Sequence, residues 1–382
     1  MSAPRIVLAP DKFKGSLSAG AVADAVADGI RRVRPEAVIR WVPVADGGEG
    51  TVDAAVSAGF DRVPVEVAGP TGEPVRASFA HDGTVAVVEA AAACGLVRLP
   101  GGRPAPLTAT SLGVGELLRA ALDTGCRTVV LGVGGSASTD GGAGMLAGLG
   151  AELLDTAGRP ARPGGGGLTE IAYLDLHKLD PRIHEVELVL ASDVDNPLLG
   201  THGAAAVFGP QKGADLQQVA LLEEGLAHWA ALVARRTGYY AVDLPGAGAA
   251  GGIGFAALAV LGARRSGGID VLLDLVGFDR AVAGADLVIT GEGSLDAQSL
   301  HGKAPVGVAA RAAKAGVATI AVAGRCLLAD EQLRSAGIES VYALNDIEPD
   351  LQRCQSEAAP LLREVGERIA RTHLTAPETT SA

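Results

Sequence analysis

Residues 5–44, RIVLAPDKFKGSLSAGAVADAVADGIRRVRPEAVIRWVPV, change their hydrophobic period twice. RIVLAP (5–10) is a short apolar run. The segment near 18–33 then places Val22, Val26, Gly29, Ile30 and Val33 on one helical stripe, with Ser18 where an N-cap belongs. VIRWVPV (38–44) returns to an apolar, β-branched run. Strand, helix and strand in this order are the βαβ unit of a parallel sheet.

Downstream the rhythm loosens between about 60 and 90. RVPVEV, PVRASFA and TVAVVEAA follow closely there, and Asp82-Gly83 marks a hairpin turn, so this part reads as antiparallel. The βα alternation returns with a helix over 110–125, the strand TVVLGV (128–133), a small-residue helix after Gly142 and a loop over 160–167. ELVLASD (187–193) is a further strand, followed by a helix over 215–237. From 285 the pattern is regular: DLVITG, a helix over 305–316, ATIAVAG, a helix over 330–336, SVYAL and a last helix over 357–373. At 382 residues the chain exceeds one ordinary core, so the fold class is α/β, in two domains or one large unit.

Composition narrows the chemistry. A formal net charge of −12 opposes a nucleic-acid or anionic-membrane surface, so any anion must be bound by local features. Cys94, Cys126, Cys326 and Cys354 lie far apart without a C-x-x-C pair, which points away from disulfides or zinc and toward a reducing cytoplasm. No export signal is evident at the N-terminus. The uncharged stretch 244–263 holds six glycines and a proline, and reads as a glycine-rich loop entering a buried helix, not a membrane span.

Ligands of open α/β sheets bind beyond the carboxyl ends of the strands. The residues following each apolar run are Asp11 and Lys12; Asp46, Gly47, Gly48 and Glu49; Gly134, Gly135 and Ser136; Asp193 and Asn196; and Gly291, Glu292 and Gly293 with Asp296. Lysine use is selective: only six occur against many arginines, and Lys12, Lys14, Lys212 and Lys303 fall in polar, glycine-bearing segments. A compact ammonium differs from a guanidinium fork, so these four are candidates for contacts that need a point charge. Two glycine patterns, Gly132-x-Gly134-x-x-Ala137 and Gly246-x-Gly248-x-x-Gly251, match a dinucleotide fingerprint and equally match tight turns with close packing. No Walker-type P-loop is present, and the histidines show no metal-ligand spacing; His301 alone lies near a candidate loop. Carboxylates, lysines and glycine loops suit Mg²⁺ and a polyphosphate.

Seven segments in order carry a resemblance: APDKFKGSLSA (9–19), PVADGGEGT (43–51), GGSASTDGGAG (134–144), DVDNPLLG (193–200), FGPQKGA (208–214), GAGAAGGIG (246–254) and DLVITGEGSLDAQSLHGKAP (286–305). In these the chain resembles the bacterial type I glycerate kinases. Thr139 stands where that family commonly has asparagine. The resemblance implies ATP and Mg²⁺ as cofactors and transfer of the γ-phosphoryl group to D-glycerate, giving 2-phosphoglycerate in preference to 3-phosphoglycerate. It also implies a Rossmann-like parallel-sheet domain (1–65 and 285–375), a second α/β domain inserted into it (66–284) and a site between them; the composition of the last residues, 376–382, reads as a disordered tail.

Under that reading Asp193 acts on the glycerate hydroxyl with Asn196 near it, and Lys12, Lys14 and Lys212 surround the phosphoryl group or the carboxylate. Asp46, Glu49, Asp140, Glu292 and Asp296 compete for the metal and positioning roles, with Asp46, Glu292 and Asp296 the metal candidates. Gln211 and Lys303 complete the binding set. An NAD(P)-dependent oxidoreductase using the Gly132 pattern and a non-catalytic sugar-acid sensor are the rival readings. The partners are small molecules, with neither nucleic acid nor membrane, and the oligomeric state is open.

Overall fold

The structure, a computed structural model, describes residues 3–45, 47–300 and 303–374. The chain forms two compact units, one of Met1–Ala45 with Ile269–Ala382 and the other of Asp46–Gly268. The first unit opens with β1 (Arg5–Pro10), α1 (Ala19–Val33) and β2 (Val38–Trp41). Ser18 Oγ accepts from the Ala21 N–H at 3.2 Å, the cap read from the sequence. Val22, Val26 and Ile30 of the helical stripe are buried. β2 stops at Trp41, short of the expected 44; Pro43 has no N–H for the ladder.

The second unit runs through α2 (Thr51–Ser57), β3 (Asp61–Ala68), β4 (Pro74–His81), β5 (Val85–Glu89), α3 (Ala90–Cys94), α4 (Leu112–Asp123), β6 (Thr128–Gly132) and α5 (Ala143–Gly148). It continues with β7 (Glu152–Leu154), β8 (Tyr173–Asp175), β9 (Glu187–Ala191), α6 (Ala204–Phe208), α7 (Leu216–Thr237), α8 (Ala249–Ala259) and β10 (Arg264–Ser266). Six strands make one sheet in the order β10-β9-β6-β5-β4-β3, and β7 pairs with β8 apart from it. β3, β4 and β5 are antiparallel, as the loosened pattern suggests, whereas β5, β6, β9 and β10 are parallel. Asp82 makes the hairpin: its Oδ1 accepts from the N–H groups of Thr84 and Val85, and Gly83 takes φ +95°. α7 starts on an Asp215–Gln218 capping box and buries Trp229, whose Nε1 donates to the Gly141 carbonyl at 3.0 Å. In the glycine-rich stretch, Ala250, Gly251 and Gly252 have positive φ, so α8 begins as a loop bent against residues 138–141.

The chain then completes the first unit with α9 (Gly268–Leu275), α10 (Phe278–Val282), β11 (Leu287–Leu295), α11 (Ala304–Lys314) and β12 (Thr319–Cys326). α12 (Asp330–Ser335), β13 (Val341–Ala343), α13 (Leu351–Ser356) and α14 (Ala358–His373) follow. Its five strands are all parallel, in the order β13-β12-β11-β1-β2. α1 packs on α14 through Gly29 and Gly366, each of which has opposing backbone where a Cβ would stand.

The division differs from the expected cuts at 65/66 and 284/285. Residues 46–65 belong with the inserted unit, because β3 pairs with β4 along its whole length and Glu89 of β5 holds the start of α2. Residues 269–284 belong with the outer unit, where Arg311 of α11 bonds Asp279 and a Cβ on Gly307 would lie 2.6 Å from Ile269. The tail 376–382, Asp46 and His301 lie outside the described residues. No helix among the described residues is long and apolar enough to cross a membrane, and the four cysteines are free.

Candidate active site

In the five-stranded sheet the chain leaves β1 toward β2 on one side and runs from β11 through β12 to β13 on the other. Connections that depart in opposite directions open a crevice at the carboxyl ends, here between β1 and β11. Pro10 is in register with Gly291, and the Asp11 N–H donates to the Gly291 carbonyl at 2.8 Å. Thr290 Oγ1 also donates to the Ala9 carbonyl. The sequence thus brings Asp11, Lys12, Gly291 and Glu292 to one point.

Asp11 turns back on the chain, its Oδ1 accepting from the Lys12 N–H at 2.7 Å. The extended run ends at Pro10, so strand alternation does not itself place Lys12 and Lys14. A tight turn takes over: the Phe13 carbonyl accepts from the Ser16 N–H at 2.8 Å, with Gly15 at φ +79°. Phe13 is buried, Lys12 half-buried and Lys14 exposed, which keeps both lysines on the wetter side of that turn.

Glu292 is 9% exposed, with Lys303 Nζ 3.8 Å from its Oε2. Lys303 occupies the N-cap position of α11. Asp296 closes the turn after β11, its Oδ1 accepting from the Gln298 N–H.

The second unit builds its own strand-end cluster. Gly47 at φ +79° lies against the end of β9: a Cβ there would stand 3.0 Å from the Ala191 carbonyl oxygen. Gly132 and Gly134 have no Cβ because the 47–48 turn crosses them; an added Cβ would lie 2.6 Å from the Gly47 oxygen and 2.5 Å from Gly48 Cα. Asp193, half-buried just beyond β9, accepts from the Gly268 N–H at 2.8 Å through Oδ1. Asn196 is close in sequence, but its Nδ2 donates to the His202 carbonyl and closes its own loop. Glu49, Gly135 and Gln211 are exposed.

This geometry removes the dinucleotide reading of Gly132-x-Gly134-x-x-Ala137. A dinucleotide turn opens a helix directly after its strand, whereas α5 begins only at Ala143 and the glycines admit a neighbouring backbone. The Gly246 pattern does not follow a strand either, and its Gly248 and Gly251 pack against the Pro197 and Ser138 carbonyls.

Two candidates prove to be interior. Asp140 is 1% exposed and holds its loop from behind: it accepts from the Ser111 N–H at 2.7 Å, from Ser111 Oγ, and from the N–H groups of Gly142 and Gly144. Burial raises its carboxyl pKa, opposed by those hydrogen bonds. Asp140 therefore shapes the glycine turn before α5 instead of facing a metal. Lys212 is 3% exposed, and its Nζ donates to Ser136 Oγ at 3.1 Å and to the Ser138 carbonyl at 2.5 Å. Burial pushes its ammonium pKa down to about 8, against the pull of Asp140. Thr139, which stands in place of the expected asparagine, is fully buried and its Oγ1 has no hydrogen-bond partner, so it offers nothing to a ligand here.

Glu89, at the carboxyl end of β5, escaped the sequence reading. Its Oε1 accepts from the Gly50 N–H at 3.0 Å and the Val52 N–H at 2.6 Å, anchoring the turn that contains Gly47–Glu49. The signal was available: a lone acid ending an apolar strand, TVAVVEAA.

A profile described as the Glycerate kinase family matches residues 6–374. The chain belongs to the glycerate kinase family. Among similar proteins, one named "Glycerate kinase" from Bacillus subtilis (strain 168) is 44% identical over 369 residues, covering 96% of this chain and 97% of that one. A "Glycerate 2-kinase" from Escherichia coli (strain K12) is 43% identical over 344 residues, covering 89% and 90%. The crystal structure of a Salmonella typhimurium LT2 protein assigned as glycerate kinase 2 superposes with a TM-score of 0.84 at 42% identity, covering 97% of this chain and 98% of that one.

Proposed function

We propose that the protein transfers the γ-phosphoryl group of ATP to the 2-hydroxyl of D-glycerate, releasing ADP. The observation that carries this reading is the glycerate kinase family match over residues 6–374. As a phosphotransferase, it needs to align the reactants and neutralise charge on the moving group. Asp193 takes the proton of the glycerate hydroxyl as its oxygen bonds to the γ-phosphorus and the bond to ADP breaks. The Gly268 N–H supports that role by fixing Asp193 Oδ1. Lys12 and Lys14, beyond β1, meet phosphoryl or carboxylate oxygens.

Among the described residues no three His, Cys, Asp or Glu side chains converge as a metal cage. A Mg²⁺ travelling with a nucleotide uses one or two carboxylates besides phosphates and water, and the carboxylate oxygens of Glu292 and Asp296 suit that hard cation. Those two would hold it. When bound, Mg²⁺ neutralises charge on the phosphate oxygens. The reaction belongs in the cytoplasm, with small molecules as partners and neither nucleic acid nor membrane involved.

Mass spectrometry and ³¹P NMR of the product from ATP, Mg²⁺ and D-glycerate test the reading. The expected product is 2-phosphoglycerate. Exclusive 3-phosphoglycerate would overturn the position, and no glycerate-dependent ADP would overturn the kinase assignment.

A further inference from the structure

Lys212 sits behind the loop that follows β6, not on its surface. The residue is 3% exposed, and its ammonium donates to Ser136 Oγ and the Ser138 carbonyl. A protonated lysine has three donors and no acceptor. Ser136 Oγ must therefore be the acceptor in their 3.1 Å bond, and the Ser136 hydroxyl proton is left to point elsewhere. Among the described residues that proton has no other acceptor. The same loop is pinned on its flanks, where the Ala137 N–H donates to the Cys94 carbonyl and the Leu96 N–H to the Gly135 carbonyl. Gly135, exposed and at φ +75°, opens the backbone just before the serine.

We propose that Lys212 is a positioning residue and Ser136 a substrate-binding donor: the buried ammonium holds Ser136 so that its hydroxyl donates to an anionic oxygen of the reactants, a phosphoryl or carboxylate oxygen. This rests on the glycerate kinase reading and changes one part of it, because Lys212 then acts through Ser136 instead of touching the anion. The arrangement is reversible by one proton. A neutral Lys212 amine has a lone pair and accepts the Ser136 hydroxyl proton, turning the donor inward.

The groups facing Lys212 are Cys94 and Asp140, both buried. Burial and Asp140 push the Cys94 thiol up to about 12, so it stays neutral across the working range. Asp140 stabilises the ammonium, yet burial dominates and brings it to about 8. The sign for folding is opposite to that for activity. A lysine lowered from 10.5 to about 8 in the folded state releases its proton first there, so its contribution to stability rises with pH between those values. Activity, in contrast, falls as the ammonium is lost.

The test is the pH profile of kcat/KM for glycerate phosphorylation between about pH 6.5 and 9.5, with the melting temperature followed in parallel. The parent enzyme should lose activity through a basic limb near pH 8 without a matching loss of stability. Ser136→Ala should lower kcat/KM at pH 7 by at least about tenfold, the scale of one hydrogen bond to a charged oxygen, and should lack that limb. Lys212→Arg, protonated at every pH used, should lack it too; should that variant not fold, Ser136→Ala carries the test alone. A folded Ser136→Ala enzyme with parental kcat/KM, or one that keeps the limb, overturns the proposal while leaving the kinase reading intact. A parent enzyme without turnover overturns the kinase reading, and this proposal with it.

Discussion

Asp193 and the opening lysines are single residues whose roles a conservative substitution separates from their charge or size. Asp193→Asn keeps the acceptor for the Gly268 N–H but cannot take a proton, so kcat should fall by about 10²-fold or more with little change in melting temperature. A folded variant with near-parental kcat removes Asp193 from proton transfer. Lys12→Arg and Lys14→Arg keep the charge but broaden it; each should lower kcat/KM by at least about tenfold. Parental turnover in both would make these lysines ordinary surface charges. The lysines stood out in the sequence because arginine replaces lysine almost everywhere else. Asp140 and Lys212 stood out for the same polar, glycine-bearing surroundings, but nothing local distinguishes a side chain facing a ligand from one holding a loop from behind. That difference is made by Ser111 and by Ser136 and Ser138, which reach them from other parts of the chain.

Elements were read more readily than residues, because periodicity and caps are local. Ser18 and the Val22–Val26–Ile30 stripe are enough to define α1, and Asp82-Gly83 enough to define the hairpin of β4 and β5. What escaped is how closely elements approach. Gly29 of α1 and Gly366 of α14 are helical glycines, poor choices by propensity, and each is needed because the opposing helix backbone fills the place of a Cβ. Gly29→Ala should therefore destabilise the first unit by about 1–3 kcal/mol in spite of the better propensity of alanine. Chemical denaturation checks it: an increase in stability would mean that the helices can separate at little cost. The same reasoning explains the missed cuts between units, since a helix such as α2 is assigned by its partners, among them Glu89, not by its own pattern.

At the scale of the whole molecule, each unit has its own sheet and its own hydrophobic core. Scanning calorimetry should resolve two components, with Gly29→Ala moving only the one that belongs to the outer unit. One transition with equal calorimetric and van't Hoff enthalpies would show instead that the units melt together. The strand order β13-β12-β11-β1-β2 has a consequence for how the protein is made. β1 lies inside that sheet, yet its neighbour β11 pairs with it from 281 positions further along the chain (Ile6 opposite Leu287), roughly 250 residues after β2 ends. At about 5–20 residues per second, a ribosome needs roughly 12–50 s after β2 emerges before β11 can arrive. Throughout that interval the apolar RIVLAP strand has a free edge and an uncovered face, while the inserted unit gains every strand of its own sheet before β11 appears. The nascent amino terminus is thus the segment most in need of a chaperone, and a message truncated before β11 yields a chain with a folded middle and a sticky end.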